Sequence, residues 1–331
     1  MPRVIDAPDA DAIELAELVE ALETGGFDSQ DEDNFASWGP QLKRLANNRT
    51  FLTDLMIAEL KQRCEGQIRD NQYSAQVVLL HGGSDRFIVR ANLWPALDDS
   101  IIRHSGTDPF FYGVPHDHNF SFLTVGYWGP GYWSEYYEYD YGEVVGFPGE
   151  AVDLRYVEKS RLEPGKVMLY RAHKDVHNQL PADEMSVSIN IMETSHSSAF
   201  RDQYRFDVAE RKIDGIMTRM SLEPMLSLAA YYGGEEGMDL IAEFAARHPS
   251  ERIRWCALRA RVAAEPSVER RIALYEEAAR GDARLVAAMA AREAAKLEAG
   301  RAWIAAPPQE QKLPSAACSI SRTRAFRRFQ S

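Results

Sequence analysis

The chemistry open to this chain rests on four histidines. His116 and His118 stand two apart in His116-Asp117-His118, ahead of the run Asn119-Phe120-Ser121-Phe122-Leu123-Thr124-Val125. Residues two apart on a strand project from one face, so the two imidazoles would lie side by side with Phe120 and Phe122 continuing that face. Such a pair suits a divalent metal, but two imidazoles hold one poorly and a site needs three or four ligands. Further candidates follow in Pro164-Gly165-Lys166-Val167-Met168-Leu169-Tyr170-Arg171-Ala172-His173-Lys174-Asp175-Val176-His177, where a turn leads into a short strand and then a loop carrying His173 and His177.

The elements that must hold these residues are strands. Between residues 73 and 195, short β-branched and aromatic runs alternate with Gly, Pro and Asp, the pattern of a sandwich or barrel. The expected strands are Gln76–Leu80, Arg86–Ala91, Phe120–Tyr127, Trp133–Tyr139, Ala151–Glu158, Lys166–Arg171 and Met185–Met192. Gly82-Gly83, Gly129-Pro130-Gly131, Pro148-Gly149 and Glu163-Pro164-Gly165 supply turns between them. On the N-terminal side, Ile13, Leu15, Leu18 and Leu22 predict a helix closed by Gly25-Gly26, and Phe35–Leu60 predicts helix with a break at Asn47-Asn48. Beyond residue 215, helical spacing returns in Pro224–Ala230, Met238–Ala246, Ile253–Val262, Arg270–Ala279 and Arg284–Ala295, with Ser250 and Ser267 as N-caps.

Composition narrows the partners. In 331 residues, 45% hydrophobic content is enough for a sizeable core, and a formal charge of -12 repels nucleic acid and anionic membrane surfaces at long range. No run approaches the roughly 18 apolar residues of a membrane span, and no signal-peptide pattern is visible, so a cytoplasmic protein is expected. Cys64, Cys256 and Cys318 form no CxxC pair and suggest neither a disulfide framework nor a thiolate zinc site. The tail beyond Pro307, with Arg322, Arg324, Arg327 and Arg328, lacks an apolar stripe and reads as a disordered basic segment or a docking tail for an acidic partner.

His116-Asp117-His118, followed downstream by a Pro-Gly turn and His177, resembles the two metal motifs of the cupin superfamily over roughly Val78–Met192. The resemblance implies a double-stranded β-helix barrel with a metal inside. The common cupin pattern has a glutamate ligand four or five residues after the histidine pair, where this chain has Phe122 and Leu123. Cupins lacking that glutamate include the three-histidine thiol dioxygenases, and this resemblance implies Fe(II) held by His116, His118 and His177. Zn, Mn or Ni are alternative occupants, because imidazole binds several divalent ions. A 2-oxoglutarate oxygenase is disfavoured, since His118 stands where its facial triad needs a carboxylate.

Other residues are weighed for the same site. Glu135 or Glu138 would replace the missing ligand; Tyr127 is taken as a tyrosine donating to bound dioxygen; Arg171 would pair with a substrate carboxylate; His173 would contact substrate or a ligand. Arg103 and His104 would line the opening, and the aromatic residues between Phe110 and Tyr141 would build walls or a pocket. The expected fold is α+β: N-terminal helices over residues 1–72, a cupin barrel over 73–200, a bundle or HEAT-like helical region over 210–300, and a basic tail over 301–331. The expected function is oxidation of a small molecule or peptide residue by O2, with no nucleic-acid or membrane partner. The C-terminal helices would serve a partner protein or a homodimer. The alternatives are a non-catalytic sensor or partner-binding cupin, and a Zn or Mn isomerase or hydrolase.

Overall fold

A computed structural model describes residues 1–304 except 83, 84, 196, 197 and 199. The basic tail from residue 305, Cys318 and Gly83 of the expected hairpin turn lie outside the described residues. The chain begins with strand β1 (Arg3–Ile5), then helices α1 (Leu15–Thr24), α2 (Glu32–Ser37), α3 (Gly39–Asn47), α4 (Phe51–Lys61) and α5 (Glu65–Asp70). Asn48 supplies the expected break: it is the C-cap of α3, and its side-chain oxygen accepts from the backbone of Thr50 and Phe51 at the start of α4.

Strands follow: β2 (Val77–His81), β3 (Phe87–Trp94), then helix α6 (Ser100–Ser105), β4 (Phe122–Trp128), β5 (Trp133–Glu138), β6 (Arg155–Arg161), β7 (Val167–Tyr170), β8 (Asp175–Leu180), β9 (Ser186–Glu193), β10 (Tyr204–Asp207) and β11 (Lys212–Ile216). They build a six-stranded antiparallel sheet in the order β1-β7-β4-β9-β3-β2, a three-stranded sheet β6-β5-β8 and the hairpin β10-β11. The architecture is therefore α+β with antiparallel sheets. Strands β1, β8, β10 and β11 fall outside the strands expected from pattern: β1 is only three residues long, and β8, Asp-Val-His-Asn-Gln-Leu, carries too many polar side chains to read as a strand.

Alternation explains how the six-stranded sheet serves two cores. Phe87, Val89 and Ala91 of β3, Leu123, Val125 and Tyr127 of β4, Val167 and Leu169 of β7, and Ile189 and Ile191 of β9 face the N-terminal helices, packing on Leu18, Leu22, Phe35, Leu42, Leu45 and Phe51. Each such large side chain contributes roughly 1.5–3 kcal/mol when fully buried. The opposite parity, Trp94, Phe122, Met168, Tyr170 and Met192, joins Tyr132 and Tyr136 in the core shared with the smaller sheet. At the turn before β5, Gly131 has φ +87°, and a Cβ there would collide with the carbonyl oxygen of Leu162.

Five helices close the described chain: α7 (Leu222–Tyr232), α8 (Gly234–Arg247), α9 (Glu251–Ala264), α10 (Val268–Ala279) and α11 (Arg284–Ile304). Ser250 and Ser267 cap α9 and α10, accepting from Ile253 N and Arg270 N. Arg252 of α9 ties these helices to the β region through Asp202, with N–O at 2.6 Å.

Candidate metal centre

The histidine pair occupies a different piece of structure from the one its spacing predicts. His116 exchanges backbone hydrogen bonds with His177 of β8, at 3.0 and 2.9 Å, and bridges Arg205 of β10 on its other side. Phe206 N donates to Pro115 O, and Asp117 N donates to Tyr204 O. The segment is thus an extended rung between β8 and β10, and β4 begins only at Phe122. Asn119 breaks the ladder between them, its amide donating to the carbonyls of Ser198 and Arg201. His177 lies within β8 and not on a loop.

Three imidazoles converge from this arrangement. His177 Nε2 is 3.1 Å from His118 Nε2 and 3.2 Å from His116 Nε2, and the ligand atoms of the set all lie within 4.8 Å of one another. Nitrogens sharing one metal at about 2.1 Å stand about 3 Å apart when neighbouring, so the first two separations fit a common ion. His116 Nδ1 donates to Val114 O at 2.7 Å, which leaves its Nε2 lone pair facing the cluster. Burial depresses all three histidines below their ordinary pKa, and in His118 and His177 the neighbouring imidazoles depress it further. Neutral imidazoles whose Nε2 atoms face one another are a donor set that suits a divalent ion, and the residues present fit one.

Asp117, between the two histidines, faces the other way by the same alternation. Its fully buried carboxylate accepts from Tyr204 N at 2.6 Å and Tyr139 Oη at 2.7 Å, in a separate core with Val176, Phe206 and Ile213. Two hydrogen bonds to a charged acceptor fix the backbone that carries His116 and His118.

A cavity of about 360 Å³ opens beside the histidines, lined by His116, His118, Phe120, Phe122, Trp94 and Tyr132. Its polar lining is unusual: Gln76, Asn92, Gln179, Asn190 and Gln203 bring amides, Arg90 brings a guanidinium, and no carboxylate is among the described lining residues. The guanidinium of Arg90 sits over the Tyr73 ring, 4.9 Å from its centroid, and burial lowers its pKa to about 10. Arg90 Nε, Asn92 Oδ1 and Gln179 Oε1 are buried with no hydrogen-bond partner among the described residues. Buried polar atoms are normally paired, so these three mark a place for a polar ligand.

Several expected residues are not brought to this cluster. Tyr127 shares parity with Leu123 and Val125, packs on Phe51 and donates its hydroxyl to Asn48 O on the helix-covered side of the sheet. Arg171 is engaged by Asp175, with bonds of 2.9 and 2.7 Å, and by Glu138; a guanidinium beside a fully buried carboxylate is not free for substrate. Glu138 also pairs with Arg155, and Glu135 accepts from Asn178, so neither supplies a fourth ligand. His173, at φ +59° in the turn before β8, packs against Tyr141 with tilted rings whose centroids are 4.0 Å apart, and lies 3.7 Å from Asp117. It borders a different cleft, with Asp140 and Asp153. His104 is held by Ser100 O in α6. In their place the structure offers Arg90, Gln179 and Tyr132. Nothing local in the sequence marked them: Gln179 lies on the polar strand β8 and Tyr132 in the turn before β5.

No family model matches the chain, and no curated protein matches it. Among solved structures, a hydroquinone 1,2-dioxygenase in complex with cadmium and 4-hydroxybenzonitrile is 11% identical, over 39% of this chain and 71% of that one, at TM-score 0.24. A DMSP lyase from Ruegeria pomeroyi DSS-3 is 14% identical over 59% and 78%, at TM-score 0.23. A vicilin from hazelnut, Corylus avellana, is 10% identical over 42% and 34%, at TM-score 0.20. Likenesses this slight carry no weight for the site, which rests on its own geometry. Among the described residues no helix is long and apolar enough to cross a membrane.

Proposed function

We propose that this chain is a cupin-type oxygenase in which His116, His118 and His177 hold Fe(II) and O2 oxidises a small anionic molecule. The observation that carries the reading is the convergence of three imidazoles, two of which, His116 and His118, line a cavity whose one guanidinium, Arg90, has no carboxylate facing it among the described residues. A bound Fe(II) with three neutral ligands would keep its full charge and open positions, supplying the means to bring an anionic donor and O2 together. Arg90 is suited to hold a carboxylate of the substrate by charge-assisted hydrogen bonds. Asn92 offers a further polar contact, while Trp94, Phe120 and Phe122 exclude water. At about 360 Å³ the cavity suits a small molecule better than a peptide segment. Helices α7–α11 are assigned here to a partner protein or a second copy, and a cytoplasmic location is part of the same reading.

The test is anaerobic purification, metal analysis and O2 uptake with a panel of small carboxylates. Iron in the wild type, lost in His116→Ala together with O2 uptake, supports the reading. A protein that takes up no metal would sink it. Metal with substrate turnover but no O2 uptake would replace it with isomerase or hydrolase chemistry.

A further inference from the structure

We infer that Gln179 is a fourth protein ligand of this centre, through its amide oxygen, in place of the carboxylate that the sequence lacks after the histidine pair. The inference rests on the three-histidine reading above. Gln179 lies two residues after His177 on β8, so its side chain leaves the same face of the strand. Its amide terminus is 3.2 Å from His177 Nε2, the same separation that His116 Nε2 and His118 Nε2 keep from that atom, at 3.2 and 3.1 Å. Three donor groups are thus grouped around His177 Nε2.

The other end of the amide, Oε1, is buried without a partner among the described residues, and the residue is only 6% exposed. The two ends interchange by a half-turn about the terminal torsion, and at ordinary resolution they are told apart only by their partners. With an ion present, the imidazole lone pairs bind the ion and no longer accept from the amide, so the oxygen is the end that gains by facing inward. An amide oxygen is a neutral donor. The centre then gains a ligand and loses none of its positive charge, as it would with glutamate, and the anion held near Arg90 meets an undiminished field.

Co(II) alone is the probe, with the full-length chain, reading affinity by chelator competition and coordination by the visible absorption bands. Gln179→Ala is expected to weaken Co(II) binding by about tenfold or more and shift the bands. Gln179→Glu, of the same size, is expected to tighten it by a similar factor, because a carboxylate cancels charge. Wild-type affinity and bands in Gln179→Ala, or no tightening in Gln179→Glu, would overturn the assignment. If His177→Ala abolishes binding in that case, the three-histidine centre stands without Gln179. A wild-type chain that takes up no Co(II) would overturn both.

Discussion

Replacing Arg90 by methionine separates a functional cation from a structural one. A pKa lowered by burial to about 10 means that the folded protein holds this charge at a cost. At roughly 1.4 kcal/mol per unit the cost is about 3 kcal/mol. Against it stands the contact with Tyr73, worth about 1 kcal/mol. Arg90→Met should therefore raise the unfolding free energy of the metal-free protein by about 1–2 kcal/mol in urea at pH 7. The penalty is present at every pH below about 10 and fades as pH rises above it, because the folded state loses its proton first. The same variant should bind propionate, used as a minimal carboxylate probe, more weakly by about 10- to 100-fold, the equivalent of one charge-assisted contact. A variant that is destabilised by more than about 1 kcal/mol, with propionate binding unchanged, would show that Arg90 serves the fold and refute this account.

Asp117→Asn turns one of two acceptor oxygens into a donor facing Tyr204 N or Tyr139 Oη; it should cost about 2–4 kcal/mol in urea unfolding and weaken metal binding with it. Tyr127→Phe should cost about 1 kcal/mol, the bond to Asn48 O, and leave turnover unchanged, measured by denaturation beside a rate assay. Cys256, buried and near Glu223, has its thiol pushed up to about 11, so its alkylation in the native protein should rise about tenfold per pH unit through pH 8–10. Because the unfolded thiol ionises first, the stability that this group contributes should be full below pH 9 and decline as pH approaches about 11. Ser250→Ala removes the cap that accepts from Ile253 N and should cost about 1 kcal/mol in a thermal melt.

Much of the fold was legible because apolar periodicity and turn chemistry are local. The helix break at Asn48, the caps at Ser250 and Ser267 and the strands around Val89, Val125 and Ile189 follow from neighbours within a few residues. The three histidines named from sequence are the ones that converge. What escaped was long-range. That residues 116–118 lie between β8 and β10 depends on strands sixty and ninety residues away, and nothing in His116-Asp117-His118 announces them. Tyr127 was misplaced by spacing along the chain, although its parity with Leu123 and Val125 already pointed it away from Phe122. Arg171 was read without Asp175, the partner four residues on that neutralises it. Arg90, Asn92, Gln179 and Asn190 are each unremarkable alone. They become a cavity lining only when three strands bring them together.

The alternation within residues 116–118 has a practical consequence for anyone altering or transplanting this centre. His116, His118 and the carboxylate between them share one short segment, whose reverse side is fastened to Tyr139 and to the hairpin at Tyr204. A library that varies His116 or His118 while leaving residue 117 free to drift would lose the segment along with the histidine. A graft onto another scaffold would have to carry Asp117, Tyr139 and Tyr204 as its mounting, because rotamers left without such support wander by more than a metal tolerates.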